Sequence, residues 1–255
     1  MKDTERQSMR APILGCFIDQ VNKDQALVRI HQMILQGDPA QVITLNAEIV
    51  YQAQKDQALR DIINSASLVT PDGIGVVWGG RWLGYPFPER VTGIDILYAL
   101  CQEAASHQWP VFLLGAAPGV AEEAAGQLVK RCPGLLVKGT HHGYFQEDES
   151  PGVVEEIIMA RPLILFAALG APKQEFWIRS HLAEMKVPVC IGVGGSFDVI
   201  AGHKKRAPAW MIRLNLEWLY RLLAEPSRWK RQLALPRFAL AILRTRLTYN
   251  RNARK

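Results

Sequence analysis

Two charged residues sit where charge is unusual. Asp72 lies in Thr-Pro-Asp-Gly, directly after the apolar Leu68-Val69. Arg90 lies in Glu-Arg-Val-Thr-Gly, between a Pro-rich turn and an apolar run. Pro71 restricts its neighbours and Gly73 permits unusual backbone angles, so Asp72 is expected on a tight strand-to-helix turn. Turns of this kind carry function more often than cores do. Asp72 then either caps the helix that starts near Ile74 or serves in catalysis, and the stretch alone leaves both open.

Further polar residues follow other apolar runs. Thr44 and Asn46 close the run Gln41-Val-Ile-Thr-Leu45, and Asn46 is also placed to cap the next helix. Lys173 and Gln174 open a helix after Gly170-Ala-Pro, where they can bind an anion or a sugar or form a solvated first turn. Asp198 follows the glycine turn Gly192-Val-Gly-Gly195 as a hydroxyl acceptor or a cap. Gly115-Ala-Ala-Pro-Gly119 can present backbone N–H groups to a phosphate. It lacks the later glycines of G-x-G-x-x-G, and no G-x-x-x-x-G-K-[ST] occurs. His141 and His142 are adjacent, so in extended chain they point opposite ways and no third ligand is spaced nearby; no metal site is expected.

The elements that must position these residues alternate. Short apolar runs at 13–18, 41–45, 67–70, 110–115, 135–138, 162–169 and 189–192 predict strands, and the segments between most of them have helical periodicity. The expected fold class is α/β: a Rossmann-like, mostly parallel sheet flanked by helices. In such sheets ligands bind beyond the carboxyl ends of strands, where Thr44, Asn46, Asp72, Gln174 and Asp198 all fall. A single cleft explains that row.

The 255 residues, 49% hydrophobic and 21% charged, suit a globular chain with a sizeable core. Four scattered cysteines without C-x-x-C are expected to be reduced, which suits a reducing cytosol. The polar start MKDTERQSMR shows no signal peptide, and no apolar run reaches the roughly 18 residues of a spanning helix. The net charge of +6 hides a split: residues 203–255 hold 14 Lys/Arg against Glu217 and Glu225, so the remainder is acidic. We expect a core at 11–202 and a basic, amphipathic, helical appendage at 203–255. One helix is expected over 207–223, with Met211, Leu214, Trp218, Leu219 and Leu222 at helical spacing. Tryptophan, leucine and basic residues together fit an anionic membrane surface, or else a helix pair packed on the core. No nucleic-acid motif is present.

Several of these segments together resemble the WecG/TagA/CpsF glycosyltransferase family. They are Thr44-Leu-Asn46-Ala-Glu, Leu68-Val-Thr-Pro-Asp72-Gly-Ile-Gly, Glu89-Arg90-Val-Thr-Gly-Ile-Asp95, Phe112-Leu-Leu-Gly-Ala-Ala-Pro-Gly119, Gly170-Ala-Pro-Lys-Gln174-Glu and Val193-Gly-Gly-Ser-Phe-Asp198. Arg206-Ala-Pro-Ala-Trp210 and Glu217-Trp-Leu-Tyr-Arg221 add to the match, which runs from about Ile13 to about Leu235. The resemblance implies an inverting, metal-independent transfer from a UDP-sugar to an undecaprenyl-diphosphate-linked sugar, with no cofactor. No D-x-D motif occurs here, in keeping with that. The resemblance makes Asp72 the general base and Arg90 the group that stabilises the departing UDP. It gives Thr44 and Asn46 the positioning of donor or acceptor, and Tyr144, Gln174 and Asp198 the lining of the nucleotide and sugar site. Arg213, Arg221 and Arg228 would meet the lipid diphosphate. It places the protein peripherally on the cytoplasmic face of the bacterial inner membrane, in polysaccharide synthesis. N-acetylmannosamine, its uronic acid and glucose all stay open as the sugar, and a homo-oligomer stays open too. Two other readings are an NAD-type oxidoreductase, which the missing G-x-G-x-x-G disfavours, and a UDP-sugar-binding, membrane-recruited adaptor without catalysis.

Overall fold

The computed structural model describes residues 10–226 and 229–252. Its centre is a six-stranded parallel sheet in the order β4-β3-β8-β7-β5-β6. The strands are β3 (Ala40–Leu45), β4 (Leu68–Pro71), β5 (Pro110–Gly115), β6 (Leu136–His141), β7 (Ile164–Ala168) and β8 (Val189–Gly192). β3, β4, β7 and β8 are buried along their whole length, as strands covered on both faces must be. Parallel pairing brings every carboxyl end to one edge. The expected α/β architecture is therefore present.

Alternation along the strands divides the core. Val42, Leu113, Phe166 and Ile191 face α1 (Lys23–Gln36), α5 (Gly93–His107) and α6 (Val120–Arg131). On the opposite face, Ile43 and Val69 meet α2 (Ala47–Ala53), α3 (Gln57–Ser65) and α4 (Ile74–Trp82). Leu114 and Leu165 there meet α7 (Ser150–Ala160) and α8 (Lys173–Met185). Helix ends follow local chemistry: Asn22 and Gln25 form a capping box on α1, and Gly37 ends it in the left-handed region at φ 78°.

Two expectations change. The run 13–18 is an antiparallel hairpin, β1 (Arg10–Ile13) and β2 (Cys16–Asp19), outside the main sheet. Leu14 and Gly15 turn it with φ of 50° and 89°, so glycine allows a reversal where apolar residues alone suggested continuity. Asp19 is fully buried, paired with Arg10 (3.2 Å) and Arg29 (2.7 Å), and accepts the Val69 N–H (2.8 Å). It thereby ties the hairpin to the strand that carries Asp72.

The second change is in the basic segment. The helix expected over 207–223 is two short ones, α10 (Ala209–Arg213) and α11 (Glu217–Ala224). Asn215 at φ 59° separates them; asparagine tolerates that conformation because its short side chain can bond locally. After α9 (Ser196–Ile200), these two and α12 (Trp229–Gln232) lead to a long last helix, α13 (Ala234–Asn252). Phe238 and Ile242 of α13 are buried against α4. Trp210, Leu214, Trp218, Leu223, Trp229, Leu240 and Leu247 stay exposed. Among the described residues no helix is long and apolar enough to cross a membrane.

Candidate active site

Asp72 sits just past the end of β4, level with Asn46 across the β3/β4 ladder, whose last pairs are Thr44–Thr70 and Leu45–Pro71. Its N–H donates to the Leu45 carbonyl at 2.9 Å, which extends the ladder by one bond. The cap of α4 is Gly73 at φ 98°, with no side-chain cap bond, so Asp72 does not cap its own helix. Its Oδ2 instead accepts the N–H of Gly93 at 3.3 Å, the first residue of α5. Burial pushes the carboxyl up to about 6, and the Glu217 carboxylate pushes the same way. Arg221, the Gly93 N–H and Arg90 pull it down. Asp72, Arg90 and Arg221 therefore share one electrostatic neighbourhood, although they lie on three separate segments.

Glu217 organises the two arginines. It is buried, accepts from Arg90 Nη1 at 3.0 Å on Oε2, and accepts from Arg221 Nη2 at 2.9 Å on Oε1. Arg221 is one turn along α11, the i,i+4 spacing that brings side chains together. Arg90 belongs to the α4–α5 connection, so this carboxylate ties α11 to that connection. Next to it, Arg206 pairs with Asp95 of α5 at 2.7 Å. An open groove of about 890 Å³ has Arg90, Thr92 and Asp95 in its wall with Lys23, Arg131 and Lys204 to Arg206; Asp72 is not part of that lining.

Thr44 is buried and its Oγ1 donates to the Gly192 carbonyl at 3.0 Å. The same oxygen would lie 3.2 Å from a Cβ on Gly93, so Thr44 and Asp72 meet across that glycine. Asn46 caps α2, accepting from Ile49 N–H at 3.0 Å. Gln174 is 2% exposed, with its amide nitrogen on Glu175 (2.9 Å) and its oxygen accepting from Gly194 N–H (3.1 Å). It shapes the glycine turn from behind. Asp198 lies in the first turn of α9, with Lys204 Nζ at 3.9 Å. Tyr144 is 74% exposed in the loop after β6. Arg213 is exposed at the end of α10, outside the Glu217 hydrogen-bond cluster. Arg228 lies outside the described residues.

Reading residue by residue missed Glu217 and Asp95. One signal was available for Glu217: it is one of two acids in a segment with 14 Lys/Arg. Among the described residues no group of three His, Cys, Asp or Glu comes together to hold a metal ion.

What this arrangement can do follows from charge. A carboxyl raised to about 6 is ionised at neutral pH and can accept a hydroxyl proton, and the two guanidiniums in its field can neutralise an anionic leaving group. The family profile described as "Glycosyl transferase WecG/TagA/CpsF family" matches residues 11–252, so the match extends well past Leu235 into the last helix. A protein of Bacillus subtilis strain 168 is 40% identical over 231 residues, covering 91% of this chain and 86% of that protein. One of Bacillus spizizenii is 37% identical over 82% of this chain and 80% of its own length. One of Staphylococcus aureus strain NCTC 8325 / PS 47 is 39% identical over 80% of both. All three are named N-acetylglucosaminyldiphosphoundecaprenol N-acetyl-beta-D-mannosaminyltransferase. The chain is an enzyme of the WecG/TagA/CpsF glycosyltransferase family.

Proposed function

We propose that this protein is an inverting, metal-independent hexosyltransferase. It moves a sugar from a UDP-sugar to a polyprenyl-diphosphate-linked sugar during cell-surface polysaccharide synthesis. The names of the relatives favour N-acetylmannosamine as the sugar and lipid-linked N-acetylglucosamine as the acceptor. The observation that carries the reading is the convergence of Asp72, Arg90 and Arg221 at the carboxyl edge of the sheet.

In this mechanism Asp72 takes the proton of the acceptor hydroxyl as that oxygen attacks the anomeric carbon. The new C–O bond forms opposite the breaking bond to the UDP oxygen, which inverts the centre. The electron pair leaves with UDP, and Arg90 and Arg221 balance the charge growing on its diphosphate. An anionic diphosphate competes with Glu217 for those arginines, so Glu217 holds them ready until substrate binds. Thr44 and the Gly93 N–H fix the position of the base. The uridine end lies along the β5–β7 crevice, where chain connections diverge, beside Gly115 to Gly119, Tyr144 and Asp198. Residues 203–255 form the appendage that approaches the cytoplasmic face of the membrane and presents Arg213 and Arg228 to the lipid diphosphate, while Arg221, held by Glu217, serves the UDP side.

The test is a panel of UDP-sugars with synthetic polyprenyl-diphosphate N-acetylglucosamine, scored for a disaccharide-lipid product. Transfer from UDP-N-acetylmannosamine without added metal is expected. Binding of UDP-sugar with no product from any donor would favour an adaptor and overturn the reading.

A further inference from the structure

Another buried carboxylate, Glu175, stands at the start of α8, and the proposed chemistry does not use it. Glu175 is 1% exposed, and its neighbours Gln41 and Gln174 are equally buried. Its Oε1 accepts from Gln174 Nε2 at 2.9 Å. Gln41 Nε2 donates to the Glu175 main-chain carbonyl at 3.0 Å, so the Gln41 amide rests against this residue. Two oxygens in the cluster are buried without a partner: Glu175 Oε2 and Gln41 Oε1. Turning the Gln41 amide over would sacrifice its bond to the Glu175 carbonyl. The cluster has acceptors to spare and is one donor short, and buried polar atoms are seldom left that way.

We propose that Glu175 is a positioning residue that works as a neutral acid. Its Oε2–H supplies the donor that the Gln41 amide oxygen lacks, and its Oε1 holds Gln174. Burial supports a proton there, pushing the carboxyl up to about 7 with no cationic side chain opposing it. The consequence reaches the site through Gln174. The Gln174 amide oxygen holds the Gly194 N–H at 3.1 Å, and a Cβ on Gly192 would lie 2.4 Å from its nitrogen. Gly192 in turn accepts from Thr44, and Val193 Cα packs 3.5 Å from the Cβ position of Gly93, whose N–H binds Asp72. Gln41, Glu175 and Gln174 thus brace the turn against which Thr44 and Asp72 are set. The inference rests on the reading of those two residues as the reacting end.

The test compares E175Q with E175L in the full chain. Glutamine offers an oxygen to Gln174 and an N–H to Gln41, so E175Q should keep transfer and melting temperature close to wild type. Leucine offers neither, so E175L should lose about 10- to 100-fold, in kcat rather than in donor KM. E175Q failing as badly as E175L would show that the negative charge is needed and would overturn the proposal, as would full transfer by E175L. A readout that needs no turnover is infrared spectroscopy just below neutral pH. Wild type should show a protonated-carboxyl C=O band that E175Q lacks, and an unchanged spectrum would overturn the proton assignment. Should wild type transfer no sugar at all, the reaction reading fails, while the melting and infrared comparisons still decide the role of Glu175.

Discussion

Asp72 has to be ionised to act as a base, and its carboxyl is held up to about 6. Transfer is therefore expected to fall about tenfold per pH unit below that value. A pH–rate profile that stays flat there would sink the assignment. D72N should remove transfer altogether and leave the fold intact. The stability effect has the opposite sign. A carboxyl whose folded pKa is raised from 3.8 contributes stability that is fully present below that unfolded value and is lost as pH rises through about 6. At neutral pH the ionised group is a mild burden, and solvent still reaches it. D72N should thus melt at the same or a slightly higher temperature, by no more than about 1 kcal/mol. Glu217 can be tested through the same profile. Its charge raises the Asp72 pKa, so E217Q should move the acid limb to lower pH while kcat drops as Arg90 and Arg221 lose their shared anchor. An unmoved limb would show that Glu217 lies outside the field of Asp72.

The helix that starts just past Asp72 owes its placement to missing side chains. α4 carries Gly75, Gly79 and Gly80, which cost about 1 kcal/mol each relative to alanine inside a helix. Close packing accounts for them. A Cβ on Gly79 would lie 3.0 Å from the Phe238 ring, and one on Gly80 would lie 2.3 Å from Phe87. α13 consequently docks by pressing Phe238 and Ile242 onto α4, close to the turn that carries Asp72. F238A should destabilise the protein by about 3–5 kcal/mol in chemical denaturation, the usual cost of a large buried cavity. A loss under 1 kcal/mol would mean that α13 is held by something else. This docking could not be read from α13 alone, because helical spacing marks an apolar stripe without naming what covers it. The strands were legible for the opposite reason: runs such as Ile164 to Ala168 and Val189 to Ile191 are apolar throughout, and a doubly covered parallel strand needs just that. The hairpin turn at Leu14-Gly15 and the break at Asn215 escaped, since they depend on one or two residues in the left-handed region within an apolar stretch.

Charge and exposed apolar side chains are unevenly spread over the molecule. Residues 203–255 carry the basic excess, and Trp210, Leu214, Trp218 and Leu223 stay exposed on α10, α11 and the Asn215 break between them. That combination supports binding to anionic vesicles, with each nearby Lys or Arg worth about 1 kcal/mol. Co-sedimentation should weaken steeply as salt rises, and W210S/W218S in the full chain should bind less at every salt concentration. Equal binding by that variant would remove these tryptophans from the interface.

The order of apolar runs and polar junctions in the chain already specifies a parallel α/β sheet and the row Thr44, Asn46, Asp72, Gln174 and Asp198 at its carboxyl edge. Strand direction and side-chain alternation are local properties, so the sequence carries them openly. Roles within that row are another matter. Asn46 caps its helix, Gln174 faces inward to brace a turn, and Asp72 is released from capping by Gly73 and held by Gly93 instead. Asp72 and Glu217 are 145 positions apart in the chain, and Arg90 reaches Glu217 across 127. No local pattern records such a meeting. It arises only when α11 packs back against the α4–α5 connection, and the field around Asp72 is a sum over every charge that this packing brings near.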